Sequence, residues 1–100
     1  NLLHAAGIEY HYERPYSGTL LPGTVHPDFT IIDAAGDPII WEHLGMLDQP
    51  GYRASWERRR DWYLANGFVI GQNLFVSDEP GGVLDSAALA AQVEAIRALV

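Results

Sequence analysis

The chain has no cysteine, no lysine, a single methionine and no long apolar run. Without cysteine, neither disulfides, thiol catalysis nor a cysteine-ligated zinc site is open to it. Without lysine, its side-chain positive charge rests on six arginines, which stay protonated and serve poorly as general bases. No stretch approaches the roughly 18 apolar residues of a membrane span, and no signal-like start is present, so a cytoplasmic setting is expected. The chain opens at Asn1-Leu2-Leu3-His4-Ala5-Ala6, without an initiator methionine, in what reads as the last turns of a helix. It is read as a piece of a longer protein.

What is present describes one globular domain over residues 1–100. Hydrophobic content of 48% against 19% charged residues excludes a disordered chain. A formal charge of −7 argues against a free-standing nucleic-acid binder, which normally carries a basic face. The charge is unevenly placed, however. Arg53, Arg58, Arg59 and Arg60 fall close together, leaving room for one local basic patch on an acidic body.

Local patterning predicts an order α-β-β-β-α-β-α. Residues 1–6 read as a helix end with Gly7 as its cap, and 8–14 as a first strand of alternating aromatic and polar groups. Residues 15–23 read as a turn-rich crossing loop, followed by a hairpin of 24–33 and 37–44. Asp48 is positioned to cap a helix that carries Pro50 in its first turn and stops at Asn66-Gly67. Residues 68–77 predict a further strand or strand pair, irregular around Gly71-Gln72-Asn73, and Asp85 a cap for a last helix with Leu89, Val93, Ile96 and Val100 inward. This order implies an α/β (α+β) fold, a mixed central sheet flanked by helices.

The hairpin carries the chemistry. A three-residue turn Ala34-Ala35-Gly36, with Gly36 left-handed, centres the pairing on Ala35. Phe29 then faces Trp41 and Asp28 faces Glu42, with Cβ atoms roughly 5 Å apart on one face of the sheet. Two acids held that close repel each other and call for a positive partner, and a divalent cation such as Mg²⁺ meets that need with few carboxylates. The competing reading is that Asp28 belongs to a turn after Pro27 and Glu42 pairs with an arginine.

Strand parity turns His43 to the face opposite Glu42, so it reaches a metal only if the strand breaks near Gly45. His26 shares parity with Asp28, and His26, Asp28 and Glu42 together would make a zinc site, although no HExxH-type spacing supports one. Arg59 lies within the stripe Tyr52, Trp56, Arg59, Tyr63, whose spacing of four, three and four keeps all four on one helix face. An inward arginine wants a carboxylate or phosphate, and Glu42 and Glu57 are the structural candidates. Of Glu9 and Glu13, Glu13 is expected nearer the acids.

Taken together, Tyr12-Glu13-Arg14-Pro15, Pro27-Asp28-Phe29-Thr30, Trp41-Glu42-His43-Leu44-Gly45-Met46, the set Tyr52, Trp56, Arg59, Tyr63, and Asn66-Gly67 resemble the PD-(D/E)XK nuclease superfamily. The closer likeness is to small domains of that type appended to bacterial helicase-like and ATPase-like proteins, and it covers about residues 8–85. The resemblance implies a restriction-endonuclease-like α-β-β-β-α-β core and Mg²⁺-dependent cleavage of DNA phosphodiesters, with Mn²⁺ as a substitute. It implies Asp28 and Glu42 as metal ligands, and DNA and the rest of a helicase-like parent chain as partners in DNA repair or processing. Where the family normally has a lysine, two residues after the second acid, this chain has Leu44. Arg59 occupies the place to which related families move the positive group, steadying the phosphate, while His43 is left to tune the metal water. The first-helix acid often found in the family would lie upstream of Asn1. Two other classes remain: a catalytically degenerate docking module, favoured by the missing lysine, and a structural spacer.

Overall fold

Short-range chemistry starts and stops most of the elements. The computed structural model describes all 100 residues. Helix α1 (Leu2–Ala5) opens where the Asn1 side chain accepts the His4 N–H at 3.0 Å, and Gly7, at φ +74°, turns the chain out of it. Strands β1 (His11–Tyr12), β2 (Tyr16–Ser17) and β3 (Thr24–Val25) follow, each of two residues. Strands β4 (Phe29–Ile32) and β5 (Pro38–Leu44) form the expected hairpin, with Phe29 opposite Trp41 and Ile31 opposite Ile39. Its turn is held by Asp33, whose Oδ1 accepts the N–H groups of Ala35 at 2.9 Å and Asp37 at 2.8 Å, while Gly36 takes φ +87°.

Helix α2 (Pro50–Ala65) then crosses over so that β6 (Leu74–Asp78) lies parallel to β5. A short 3₁₀ turn (Pro80–Gly82) leads to α3 (Ser86–Arg97), capped by Asp85 through the Ala88 N–H at 3.0 Å. The sheet order is β1-β4-β5-β6, antiparallel except for the last pair, so the protein is mixed α and β with a mixed sheet and helices. Alternation along the strands separates two cores. Ile31, Ile39, Trp41 and Phe75 pack with Leu3, Leu89, Val93 and Ile96, beneath α1 and α3. Ile40, Leu44 and Leu74 pack with Trp56, Tyr63 and Phe68, beneath α2. On the β6 side, the Gln92 side chain of α3 donates to the Val76 carbonyl at 2.8 Å. No helix is long and apolar enough to cross a membrane.

Four expectations are corrected. The first strand shrinks from 8–14 to His11–Tyr12, because Ile8 is drawn into the core and Glu13, at φ +51°, breaks the extended run. Thr24 and Val25 leave the hairpin and pair with Tyr16 and Ser17, forming a separate ribbon inside the expected crossing loop. Gln49, with extended backbone, precedes α2 in place of Asp48; no side chain caps that end, and Pro50 occupies the first turn, where its missing N–H costs nothing. Val100 is half exposed, and the core face of α3 ends at Ile96.

Candidate functional site

Asp28 and Glu42 meet as the hairpin register requires, at the open end of β4 and β5 beneath α2. Beyond the Phe29–Trp41 pair, side chains replace backbone as partners. Glu42 Oε1 accepts the Asp28 N–H at 3.0 Å, and Asp28 Oδ2 accepts the His43 N–H at 2.8 Å. Glu42 Oε2 takes the Arg59 Nε–H at 2.6 Å. Glu42 is only 2% exposed, and no other acidic residue is so enclosed. Burial pushes its pKa above the usual carboxylate value, against the pull of the Arg59 charge and the Asp28 N–H; the Asp28 charge adds to the rise.

Arg59 completes the site from α2. Its guanidinium stacks over Trp56 at 5.2 Å and touches Glu42 through Nε alone, with the side chain 32% exposed. The two terminal nitrogens meet no protein carboxylate or carbonyl, and the neighbouring protein oxygen is the Tyr63 hydroxyl. They form an open cationic fork beside the acid pair, a shape suited to phosphate. Asp28 Oδ1 is likewise without a protein donor. Glu42, and not Glu57, is therefore the partner of the inward arginine.

Two further polar atoms on this face were not singled out by sequence. Thr30 Oγ1 and Tyr63 Oη are buried without a hydrogen-bond partner. Thr30 shares the face of Asp28 by strand alternation, and Tyr63 lies close enough to feel the charges of Glu42, Asp28 and Arg59. Burial, before any of those charges, drives the Tyr63 pKa far upward, so its hydroxyl stays protonated. Helix spacing puts Tyr63 in the inward stripe of α2, and nothing local marks its hydroxyl as polar lining.

The remaining candidates sit elsewhere. The His43 imidazole lies on the opposite face, as parity requires. Its Nδ1 is 2.6 Å from Ser77 Oγ and its Nε2 3.1 Å from Glu79 Oε1, while Trp41 Nε1 donates to the same Ser77 oxygen at 3.0 Å. His43 thus serves the acid site through its backbone N–H, and the expectation that its side chain tunes water there is corrected. The ring of His26 turns to the Glu13 carbonyl at 3.4 Å, and no three histidine or acidic side chains converge as a ligand set, so the His26–Asp28–Glu42 zinc arrangement is absent. Glu13 does approach: its N–H donates to the Asp28 carbonyl at 3.2 Å, but its side chain is exposed. Its carboxylate beside Tyr12 raises that hydroxyl's pKa. The four clustered arginines do not act together: Arg53 binds the Leu47 carbonyl, Arg60 pairs with Asp61, and Arg58 is exposed.

As a donor set, the acid pair offers only hard carboxylate oxygens, which fits Mg²⁺ or Mn²⁺ better than zinc. Asp28 Oδ1 is free, and each of the other three oxygens keeps a lone pair beyond the one its N–H donor uses. Asp28 and Glu42 would hold such an ion.

Comparison with known proteins adds little to this picture. No family model matches the chain, and no solved structure matches it. Over 71 residues, 70% of the chain, it is 42% identical to an uncharacterized protein of Methanocaldococcus jannaschii. The chain spans only 6% of that protein's length.

Proposed function

We propose that this chain is a metal-dependent deoxyribonuclease module of the restriction-endonuclease-like type, working as part of a larger DNA-processing, helicase-like protein. The observation that carries the reading is the pairing of buried Glu42 with half-buried Asp28, with the guanidinium of Arg59 beside them. The order of one helix, three antiparallel sheet strands, a crossover helix and a parallel strand supports it. So does the placement of both acids at one strand end.

Within this reading Asp28 and Glu42 would hold Mg²⁺, which when bound would supply Lewis-acid charge at the phosphate and acidify water. Arg59 clamps a phosphoryl oxygen through its free terminal nitrogens and takes no proton. The His43 N–H fixes Asp28, and the Asp28 N–H fixes Glu42, so the two ligands orient each other. Leu44 is buried in the core under α2, leaving Arg59 as the cation nearest the acids. An acidic body with so local a cationic feature suits a module delivered to DNA by its neighbours.

A second reading, a degenerate nuclease fold used for docking, draws on one feature: both Glu42 oxygens already have protein donors. Cleavage of plasmid and single-stranded DNA with Mg²⁺ or Mn²⁺ separates the two, alongside calorimetric titration of the metal alone. The nuclease reading expects cleavage lost in Asp28→Ala and Glu42→Gln, and metal uptake that needs Asp28. Uptake should also weaken as pH falls, because protons compete for Glu42. Cleavage by Asp28→Ala at the wild-type rate ends the proposal, and Asp28-independent metal uptake with no cleavage moves it to the docking reading.

A further inference from the structure

Tyr63 is fully buried, and neither the metal nor the phosphate of the proposed reaction calls on its hydroxyl. Its Oη has no hydrogen-bond partner. The ring is packed edge-on against Trp62 at 5.6 Å and Phe68 at 5.5 Å, with Trp56 at 6.5 Å. A phenylalanine would make the same aromatic contacts without enclosing a polar atom, so shape does not account for the oxygen. An unpaired buried hydroxyl costs stability, and such a group in a native fold asks for a partner that the ligand-free state does not display.

Placement supplies the partner. Tyr63 follows Arg59 by four residues and so shares its helix face, and helical side chains lean toward the N-terminus, which carries the hydroxyl toward the guanidinium. Of the charges around it, Glu42 acts on it most strongly, then Arg59, then Asp28. Beside a cation a hydroxyl presents its oxygen, so its proton is turned away and unused. Arg59 stands between that proton and the acceptor that suits it, because its Nε–H occupies Glu42 Oε2 at 2.6 Å. The other Glu42 oxygen takes the Asp28 N–H. A divalent cation arriving at Glu42 therefore meets a carboxylate already compensated by a guanidinium, and two positive charges around one enclosed acid repel each other. Arg59 is the movable one: its side chain is 32% exposed and a single N–H ties it to the acid.

We infer that Tyr63 is a positioning residue of the acid site: when Glu42 ligates a divalent cation, the Arg59 guanidinium leaves Oε2 for the substrate phosphate, and the Tyr63 O–H replaces it as the donor to that oxygen. This rests on the nuclease reading for the phosphate and deepens it by giving the site a switch. The exchange puts a neutral donor where a charged one stood, so the carboxylate keeps its hydrogen bond and is not shared between two cations. It also answers the objection that both Glu42 oxygens are engaged. One of their two donors is replaceable, and its replacement waits on the same helix face.

The test is a double-mutant cycle between Tyr63→Phe and Arg59→Ala, read by urea unfolding of the ligand-free protein, with calorimetric titration of Mg²⁺ alone beside it. While Arg59 is present the hydroxyl proton has no acceptor, so Tyr63→Phe should leave the folding equilibrium unchanged or raise it. With Arg59 removed the hydroxyl already donates to Glu42, and the same substitution should lower the folding equilibrium constant about tenfold, the order of a hydrogen bond to a charged group. Mg²⁺ should bind Tyr63→Phe about tenfold more weakly than wild type. A hydroxyl with a merely structural role would give one effect in both backgrounds and leave the metal affinity alone, and either result overturns the exchange. So does a wild-type protein that takes up no Mg²⁺. Cleavage of DNA decides the nuclease reading separately. Wild-type protein that binds Mg²⁺ and shows the change of sign but cuts nothing sinks that reading and leaves the replacement of Arg59 by Tyr63 standing. Cleavage by wild type together with an additive cycle does the reverse.

Discussion

Replacing Arg59 with methionine keeps an aliphatic side chain on the same helix face and removes the charge from both Glu42 and the Trp56 ring. Removing one partner of a fully buried pair costs about 3–5 kcal/mol. Here one partner is enclosed and the other is a third exposed, so solvent screening reduces the expectation to about 2 kcal/mol at neutral pH. For a chain of this size that is a fall in melting temperature of about 10 °C. The loss should depend on pH in a defined direction. Glu42 already has a raised pKa in the folded protein, and losing Arg59 raises it further. Between the ordinary carboxylate value of 4.5 and the raised folded value, the native state binds more protons than the unfolded chain, so stability falls as pH rises through that window. The variant should therefore lie closer to wild type near about pH 5 than near about pH 8. Urea unfolding across that range measures it, and a Glu42→Gln background should remove most of the penalty. Millimolar Mg²⁺ should stabilise Arg59→Met more than wild type, since metal and guanidinium compensate the same carboxylate. A penalty under about 0.5 kcal/mol, flat with pH, would refute the claim that Glu42 is an enclosed anion depending on Arg59.

Other perturbations probe the parts around the site. Asn66→Ala removes the shared acceptor of the Leu20 and Leu21 N–H groups and should cost about 2 kcal/mol, with faster hydrogen exchange at those two amides. Unchanged exchange there would show that the Gly18–Gly23 loop is held by Trp62 alone, through the Pro22 carbonyl. Ser77→Ala leaves the Trp41 indole N–H and His43 Nδ1 without their partner and should cost about 1–2 kcal/mol in urea unfolding, with DNA cleavage unaffected. A cleavage defect in that variant would mean that the far face of β5 communicates with the acids.

The hairpin was legible because everything that sets it is local. Asp33, Gly36 and the spacing of Ile, Phe and Trp decide the register within a few residues of the turn, and with it the meeting of Asp28 and Glu42. The face of Arg59 was equally readable from helix spacing. The ribbon was not, since prolines and glycines at 15–23 look like a plain loop, and the groups that order it, Trp62 and Asn66, lie forty or more residues away. The partners of His43 were hidden for a related reason. Parity says which face the imidazole occupies, but its partners Ser77 and Glu79 lie in β6 and just beyond it, and the register of β6 depends on a crossover helix. The orphan hydroxyls of Thr30 and Tyr63 carry no sequence signal, because each residue fits its place by shape alone.

The Gln92–Val76 contact has a bearing on how copies of this protein coexist. In the sheet β6 is an edge strand, bridged on its outer side only where Leu74 meets Ile70, and an open row of amides and carbonyls is a template on which another chain can grow a strand. An amide from α3 plugs that row at its middle, at Val76, and Asp78 ends it with a charge. Lateral pairing along this edge is thereby hindered without lengthening the sheet.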